Sequence, residues 1–206
     1  MFARSSTIHA QASMIDAGIG HIRDTVLPAM THIDQFIGLS VMVERATGRC
    51  IATSAWRTQD ALRASADRAA TLRDDAAEAF GGTAEVAEWE VAVMHRAHHA
   101  RPGTCLRSTW GTTDPAHIDD AIEAFKFESL AKIEDLPGFC SASLLVNRAE
   151  GRAVVTVAYD SREALERSRE RSEGVRAEAA RASDLAVHDV AEFDLEVGHL
   201  HIPEKV

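Results

Sequence analysis

Apolar residues recur with two different periods over the first hundred residues, and the change of period predicts strands and helices. Residues 2–9 are rich in Ser, Thr and Ile, which is typical of a strand. From Ile15 to Ile33 an apolar residue follows every three or four positions, which predicts an amphipathic helix that is capped near Ser13 and ends near Asp34. The chain is therefore expected to open with a strand followed by a helix.

Two further apolar runs, 38–44 and 49–56, are separated by a short turn in which Gly48 can adopt the positive φ of a tight hairpin loop. They are predicted to pair as antiparallel strands. Thr58 is placed to cap a second helix, and the alternation over 86–94 predicts a fourth strand. The expected order of elements is βαββαβ.

The chain repeats itself at an offset of 103 residues. The stretch RATGR (45–49) returns as RAEGR (148–152), and 10 of the 24 residue pairs that start there are identical, against about two expected by chance. A period near 100 residues has the size of a complete small domain. We therefore predict a first domain over 1–94, a linker over 95–104, and a second domain with a C-terminal extension over 105–206.

One copy of this unit is not expected to be complete by itself. A split βαβ pair builds a four-stranded antiparallel sheet with both helices on one face, so the other face needs a cover. The second copy provides it, since Asp114 begins its first helix, Ser161 caps its second helix and residues 192–197 alternate as its last strand. The predicted fold class is α+β, with two tandem ferredoxin-like βαββαβ domains that form an intramolecular dimeric α/β barrel, an internal pseudo-dimer.

Charge and composition narrow the choice of partners. The 206-residue chain carries 22 basic and 32 acidic residues, a net charge of −10, which opposes nucleic-acid binding because such binding relies on basic side chains. No apolar run approaches the length of a membrane span, and the N-terminus is too polar for a signal peptide, so no membrane association and a cytoplasmic location are expected. Cys50, Cys105 and Cys140 form no CxxC pair, which argues against a disulfide framework or a zinc site.

Two pairs of equivalent motifs carry a family resemblance. FIGLS (36–40) and PGFCS (137–141) precede the two hairpins, and AWRT (55–58) and AYDS (158–161) follow them. They resemble the strand-entry and strand-exit motifs of the antibiotic-biosynthesis-monooxygenase-like family of dimeric α/β barrels, and the whole chain looks like tandem-domain proteins of high-GC actinobacteria. That family includes cofactor-free oxygenases, haem-degrading enzymes, isomerases and members with no known activity, so the resemblance implies a fold with a cavity.

The family resemblance allows the residues of this chain to be compared with those of the haem-degrading members. The haem-degrading members of that family resemble one another in an Asn on the first strand, and in a Trp and an iron-ligating His on or just after the second helix. The matching positions here are Thr7, Ala66 and Asp75 in the first copy and Trp110, Arg169 and Glu178 in the second. Haem iron takes an imidazole, thiolate, phenolate or thioether ligand, and none of these stands at the ligand positions, so we expect no haem. No other cofactor is expected either.

A cofactor-free oxygenase asks for a base, an aromatic wall and a positive group around its substrate. His9 and His21 are candidate bases, and Arg4 and Arg107 are candidate positive groups because the duplication keeps both on equivalent first strands. The candidates for lining a ligand pocket are the large aromatic residues Trp56, Trp89, Trp110 and Tyr159. The alternatives are ordinary core packing for the aromatic residues and a surface salt bridge for the two arginines.

Two functions remain open from the sequence. The chain is expected to bind a small, partly apolar organic molecule between sheet and helices. It does so either as a cofactor-independent monooxygenase-like enzyme or as a non-catalytic ligand-binding or stress-associated protein. Histidines follow the last strand of each copy, but their spacing fits no established metal motif, so no metal site is expected; they are His95, His98, His99, His199 and His201. The sequence leaves open whether one or two pockets function and whether chains associate further as homo-oligomers.

Overall fold

The computed structural model describes residues 1–200, 204 and 205. Its strands are β1 (Phe2–His9), β2 (Phe36–Glu44), β3 (Arg49–Trp56), β4 (Ala84–Arg96), β5 (Cys105–Thr112), β6 (Phe139–Asn147), β7 (Arg152–Tyr159) and β8 (Ala186–Leu200). The helices are α1 (Ile15–His21), α2 (Leu27–Thr31), α3 (Gln59–Ala64), α4 (Ala66–Ala79), α5 (Ile118–Ala124), α6 (Leu130–Glu134), α7 (Arg162–Arg167) and α8 (Arg169–Ala182). No helix among the described residues combines the length and the apolarity needed to cross a membrane.

The strands are hydrogen-bonded in the order β1-β3-β2-β8-β5-β7-β6-β4, which closes as an antiparallel barrel. Within each repeat the two central strands follow one another along the chain and pair as a hairpin. β2 pairs with β3 and β6 pairs with β7, and β1 and β5 add to β3 and β7 respectively. The predicted α+β fold class, with tandem ferredoxin-like units in a dimeric α/β barrel, is confirmed.

The tight turns of the two hairpins depend on glycine, as predicted for the first. Gly48 has a φ of 75° and Gly151 a φ of 62°, values in the left-handed region that favours glycine. A Cβ at Gly48 would lie 2.5 Å from the carbonyl oxygen of Ala10, and one at Gly151 would lie 2.0 Å from that of Thr113. Both turns therefore need glycine for the backbone angle and for the close approach of the preceding loop.

The helices are less regular than the apolar period indicates. The predicted first helix is a short 3-10 turn over Ala12–Met14, then α1, a π-helical segment over Ile22–Val26, and α2. Ser13 lies inside the 3-10 turn and does not cap it, so that prediction was wrong. Thr58 does cap its helix, since its hydroxyl accepts a hydrogen bond from the backbone N–H of Ala61 at 3.1 Å.

The second copy has the same irregularities. Its first helix contains a π-helical segment over Phe125–Ser129 between α5 and α6, and Ser161 caps α7 as predicted. The second helix of each copy is divided by a buried serine, Ser65 between α3 and α4 and Ser168 between α7 and α8. The irregularities are therefore properties of the repeated unit.

The last strand of each copy is longer than predicted, and the linker is shorter. β4 continues to Arg96 because its residues 90–96 pair with β6. The first two residues of the predicted linker, His95 and Arg96, are therefore strand residues. β8 starts at Ala186, where alternation is not visible in the sequence, because it pairs with β5 from that point.

The chain divides into two compact units. The limits of these units differ from the limits of the sequence repeats at the last strand of each repeat. The first comprises residues 1–89 and takes in the end of β8 from Leu195; the second comprises residues 90–194 with the described C-terminal residues 204 and 205. Val197 belongs to the apolar core of the first unit, with Trp56 and Phe80. Ala92 and Val93 of β4 belong to the core of the second. The domain limits 1–94 and 105–206 stay a prediction about the duplicated sequence.

The composition of the first unit makes a prediction about a truncated chain. A fragment of residues 1–100 lacks Val197, and it lacks Glu196, whose carboxylate pairs with Arg45 at 2.8 Å. Because part of its core is missing, we expect this fragment to aggregate or self-associate, and to become soluble and folded when residues 104–206 are added. Light scattering and circular dichroism measure both properties.

The control for this experiment is the full chain cleaved at a protease site inserted between Arg101 and Gly103, which keeps every core residue. It is expected to stay folded. A fragment of residues 1–100 that is a monomer at micromolar concentration and unfolds cooperatively would contradict the prediction.

Candidate functional site

A buried arginine lies at the centre of the first unit. The residue Arg4 on β1 is 6% exposed. Its Nη2 donates to the carbonyl oxygen of Leu62 at 2.8 Å and to Oε1 of Glu88 at 2.9 Å, and its Nη1 donates to Oγ of Ser65 at 3.3 Å. Ser65 in turn donates to the Leu62 carbonyl at 2.7 Å. One guanidinium therefore joins β1, the corner between α3 and α4, and β4.

The second unit repeats this network almost atom for atom. Arg107 on β5 is 5% exposed and donates to the Leu165 carbonyl at 2.9 Å, to Glu192 at 2.9 Å and to Ser168 Oγ at 3.0 Å. Its guanidinium also lies 5.5 Å from the centre of the Tyr159 ring. From the sequence, the alternative role of these two arginines was a surface salt bridge. Each arginine does form an ion pair, but the guanidinium groups are buried and not at the surface.

Each arginine also borders a cleft between the sheet and the two helices of its unit. The clefts enclose about 50 Å³ in the first unit and about 70 Å³ in the second, and these volumes rise to about 490 Å³ and about 550 Å³ when the space at the open mouths is included. The first is lined by Arg4, Ser6, Ile8, Ile22, Val26, Met30, Leu39, Ala52, Ser54, Ala69, Leu72, Arg73 and Ala76. The second is lined by Arg107, Thr109, Phe125, Ser129, Ile133, Val155, Val157, Ser172, Val175, Arg176, Ala179, Ala180 and Leu185. Most of these positions correspond at the offset of 103, so the clefts are copies of one site.

The π-helical segments help to shape both clefts. Ile22 and Val26 lie at the ends of the first segment and line the first cleft, and Phe125 and Ser129 do the same in the second. A π-helical turn within an α-helix is rare and occurs frequently at functional sites. Its presence at the same place in both copies marks the clefts as the candidate functional sites.

The aromatic residues proposed from the sequence lie elsewhere. Trp56 and Tyr159 are fully buried in the two cores, and Trp89 is 4% exposed. Trp56 donates to Ser54 at 3.2 Å and Trp89 to Ser5 at 2.8 Å, while Trp110 packs edge-on against Phe193. None of the four is among the described residues that line the clefts. Aliphatic side chains, with Phe125, make up the apolar walls instead.

The candidate bases are also outside the clefts. His9 is exposed at the end of β1, and His21 ends α1 with its Nε2 buried and without a hydrogen-bond partner among the described residues. Of the histidines after the last strands, His95 lies in β4 and pairs with Glu134 and Glu204, the latter at 2.6 Å. His201 lies outside the described residues. Over the part of the chain that the structure covers, no three His, Cys, Asp or Glu side chains are grouped as a metal site.

The three cysteines are poor candidates for a nucleophile. Cys50, Cys105 and Cys140 are free and buried, and burial raises the pKa of each thiol to about 11. The reactive form of a cysteine is the thiolate. Near neutral pH all three are therefore protonated and unreactive.

The fold is that of the antibiotic-biosynthesis-monooxygenase-like proteins. An anthrone oxidase-like protein matches 97% of this chain over 93% of its own, with a TM-score of 0.68 and 14% identity. A ferredoxin-fold protein from Listeria monocytogenes, related to antibiotic biosynthesis monooxygenases, matches 94% of each chain with a TM-score of 0.53 and 9% identity. At these identities the likeness concerns the fold alone. No family model matches the chain.

Sequence relatives give a closer assignment. The uncharacterized protein Rv2557 of Mycobacterium tuberculosis is 48% identical over 206 residues, which is the whole of this chain and 92% of that protein. The uncharacterized protein Rv2558 of the same organism is 45% identical over 207 residues, with 88% of its length covered. The chain belongs to the family of these mycobacterial proteins, which agrees with the resemblance to actinobacterial tandem-domain proteins.

A haem-degrading enzyme from Listeria monocytogenes shares the fold, with a TM-score of 0.51 and 10% identity. The residues present here do not fit haem. Asp75 and Glu178, at the positions expected of the iron ligand, are exposed acidic residues, and Glu178 pairs with Lys132 at 2.5 Å. Met30 is the one described cleft residue with a side chain of a type that ligates haem iron, and the second cleft has no counterpart.

The two arginine networks predict unequal effects of removing their carboxylates. The Glu192 side chain is 22% exposed and also accepts a hydrogen bond from Arg169 at 3.2 Å, whereas the Glu88 side chain is 48% exposed. Glu192→Gln should lower the free energy of unfolding by about 1–3 kcal/mol because it leaves a buried guanidinium without its counter-charge. Glu88→Gln should cost less than about 1 kcal/mol because solvent screens that pair.

Urea unfolding followed by circular dichroism measures both changes. The control is Glu85→Gln, at an exposed position of β4, which should change stability by less than about 0.5 kcal/mol. Equal effects of Glu192→Gln and Glu85→Gln would show that the buried network does not stabilise the second unit.

Proposed function

We propose that the chain binds small, partly apolar organic molecules in its two clefts and that it acts as a ligand-binding protein without a catalytic step of its own. The single observation that carries this proposal is the duplicated cleft itself. Both copies keep an apolar wall, an opening to solvent, a buried arginine and a π-helical turn at equivalent places. A simple packing defect has no reason to be kept twice, since filling it stabilises a core.

The chemistry of the lining favours binding over catalysis. The polar groups of the described lining are arginine, serine and threonine side chains, with no His, Tyr, Asp or Glu. Arg4 and Arg107 already donate to carboxylates, to carbonyl oxygens and to serine hydroxyls. A cofactor-free oxygenase must remove a proton from its substrate, and these residues supply no general base for that step.

The second candidate function is a cofactor-independent monooxygenase-like activity. The observation in its favour is that two arginine side chains line each apolar cleft, and a guanidinium group can stabilise an electron-rich aromatic anion. On this hypothesis the substrate must lose its proton to solvent before it binds.

Filling one cleft at a time tests the binding proposal. Ala76 in the first cleft and Ala179 in the second are equivalent positions on α4 and α8. With benzyl alcohol as a neutral probe, amide resonances of the lining residues should shift in both clefts of the wild-type chain. Ala76→Leu should abolish the shifts in the first cleft only, and Ala179→Leu those in the second only, because each new side chain occupies the space.

Matched controls are Ala66→Leu on α4 and Ala182→Leu on α8, both at exposed positions, which should leave every ligand-induced shift unchanged. Binding that survives in the Ala76→Leu and Ala179→Leu double variant would place the ligand elsewhere and overturn the proposal.

Turnover of anthrone separates the two candidate functions. Oxygenation of anthrone to anthraquinone consumes one O₂ and releases one water, and both oxygen uptake and quinone absorbance can be followed. We expect a rate equal to that of buffer alone, because the described cleft lining contains no base. A faster rate that Ala76→Leu or Ala179→Leu abolishes, and that Ala66→Leu does not, would establish the monooxygenase-like function instead.

A further inference from the structure

The two clefts differ in charge at one pair of equivalent arginines. Arg73 on α4 lines the first cleft, and Arg176 on α8 lines the second. Arg73 is neutralised by its neighbour Asp74, whose Oδ1 accepts from Nε at 3.0 Å and from Nη2 at 2.9 Å. In the second unit Ala177 stands where Asp74 stands in the first. Arg176 makes no ion pair or side-chain hydrogen bond with any described residue.

The other cationic group of each cleft does not change this difference. Arg4 is paired with Glu88 and Arg107 with Glu192, both at 2.9 Å. The charged side chains of the first cleft are therefore both compensated, whereas the second cleft keeps one uncompensated positive charge on a half-buried side chain. This positive site occurs in a chain with a net charge of −10.

The second cleft also offers more hydroxyl groups. Ser129 lies where Val26 lies in the first cleft, and Ser172 lies where Ala69 lies. The Ser129 residue is 5% exposed, and its hydroxyl makes no hydrogen bond to another described residue. A hydroxyl group in the cleft lining can donate a hydrogen bond to a polar ligand group or a water molecule, or accept one from it.

We infer that the second cleft is selective for small organic acids, whose carboxylate pairs with Arg176 while the apolar body lies among Phe125, Ile133, Val155 and Val175, and that the first cleft lacks this selectivity. Arg176 is suited to the role because a guanidinium binds a carboxylate through two parallel hydrogen bonds. The inference rests on the proposed binding function and adds a ligand class to one of its two sites.

Benzoate and benzamide test this selectivity because they have nearly the same shape and differ in charge. Titration into ¹⁵N-labelled protein reports the two clefts separately through the amides of their lining residues. Benzoate should bind the second cleft about tenfold more tightly than benzamide does, as expected for a charge-assisted pair. In the first cleft the two probes should have similar affinities.

Variants exchange the property between the clefts. Arg176→Gln should reduce benzoate binding in the second cleft to the level of benzamide. Ala177→Asp should do the same by copying the Arg73–Asp74 pair, whereas the uncharged, equally large Ala177→Asn should keep the preference. Asp74→Ala should create a benzoate preference in the first cleft, and thermal unfolding checks that each variant remains folded.

Different experimental results would contradict the selectivity of the second cleft and the binding function itself. If benzamide binds both clefts and benzoate shows no preference for the second, or if Ala177→Asp and Ala177→Asn behave alike, the selectivity is wrong and the binding function stands. If neither probe nor benzyl alcohol shifts the resonances of either cleft, both proposals are overturned.

Discussion

A buried guanidinium holds together the elements that form each cleft. Arg4 and Arg107 each connect the first strand of their unit with the corner between two helices and with a carboxylate on the last strand of that repeat. Removing a guanidinium from water is unfavourable unless it is fully hydrogen-bonded, so the helix corner must remain where the Leu62 or Leu165 carbonyl can accept. The serine at the division of the second helix belongs to the same network, since Ser65 accepts from Arg4 and Ser168 accepts from Arg107.

The same network explains which parts of the two copies diverged. Arg, Ser and the Leu whose carbonyl accepts are identical in both units at the offset of 103, and the carboxylate is Glu in both. The cleft walls vary around this fixed frame: Val26 corresponds to Ser129, Ala69 to Ser172 and Asp74 to Ala177. A frame that fixes the backbone lets wall residues change without loss of the fold, so one architecture forms two clefts with chemically different linings.

Much of the fold was predictable from the sequence because it depends on local patterns. The limits of β1, the Gly48 turn and the caps at Thr58 and Ser161 follow from period and turn chemistry, and the repeat indicates the architecture. The π-helical segments were not predictable, because Ile22 and Val26 keep the four-residue spacing of an ordinary helix. The start of β8 was missed because Ala186 to Ala191 show no clear alternation and are held in the strand by pairing with β5.

The candidate site was predictable only in part. Arg4 and Arg107 were found because the repeat keeps both, and the same signal marks Ser65 and Ser168, which are identical at the offset of 103. When both copies of a duplicated sequence keep the same polar residue, that identity indicates a hydrogen-bond network more clearly than the neighbouring residues in one copy do. The prediction that large aromatic residues line a pocket was wrong for Trp56 and Tyr159, because their large apolar area is buried in the cores. The difference between Arg176 and Arg73 depends on the next residue along the chain, which is Ala177 in the second copy and Asp74 in the first.

The position of Val197 has a consequence for the order in which the protein forms. Synthesis proceeds from the N-terminus, so almost the whole of the first unit leaves the ribosome long before this residue, which completes its core, has been made. The second unit takes its main segment from residues 90–194, which are made just before Val197, and it also includes the described residues 204 and 205, which are made after it. The main segment of the first unit therefore waits longest for a residue of its own core, and its exposed apolar surface must be kept from aggregation until Val197 has been made.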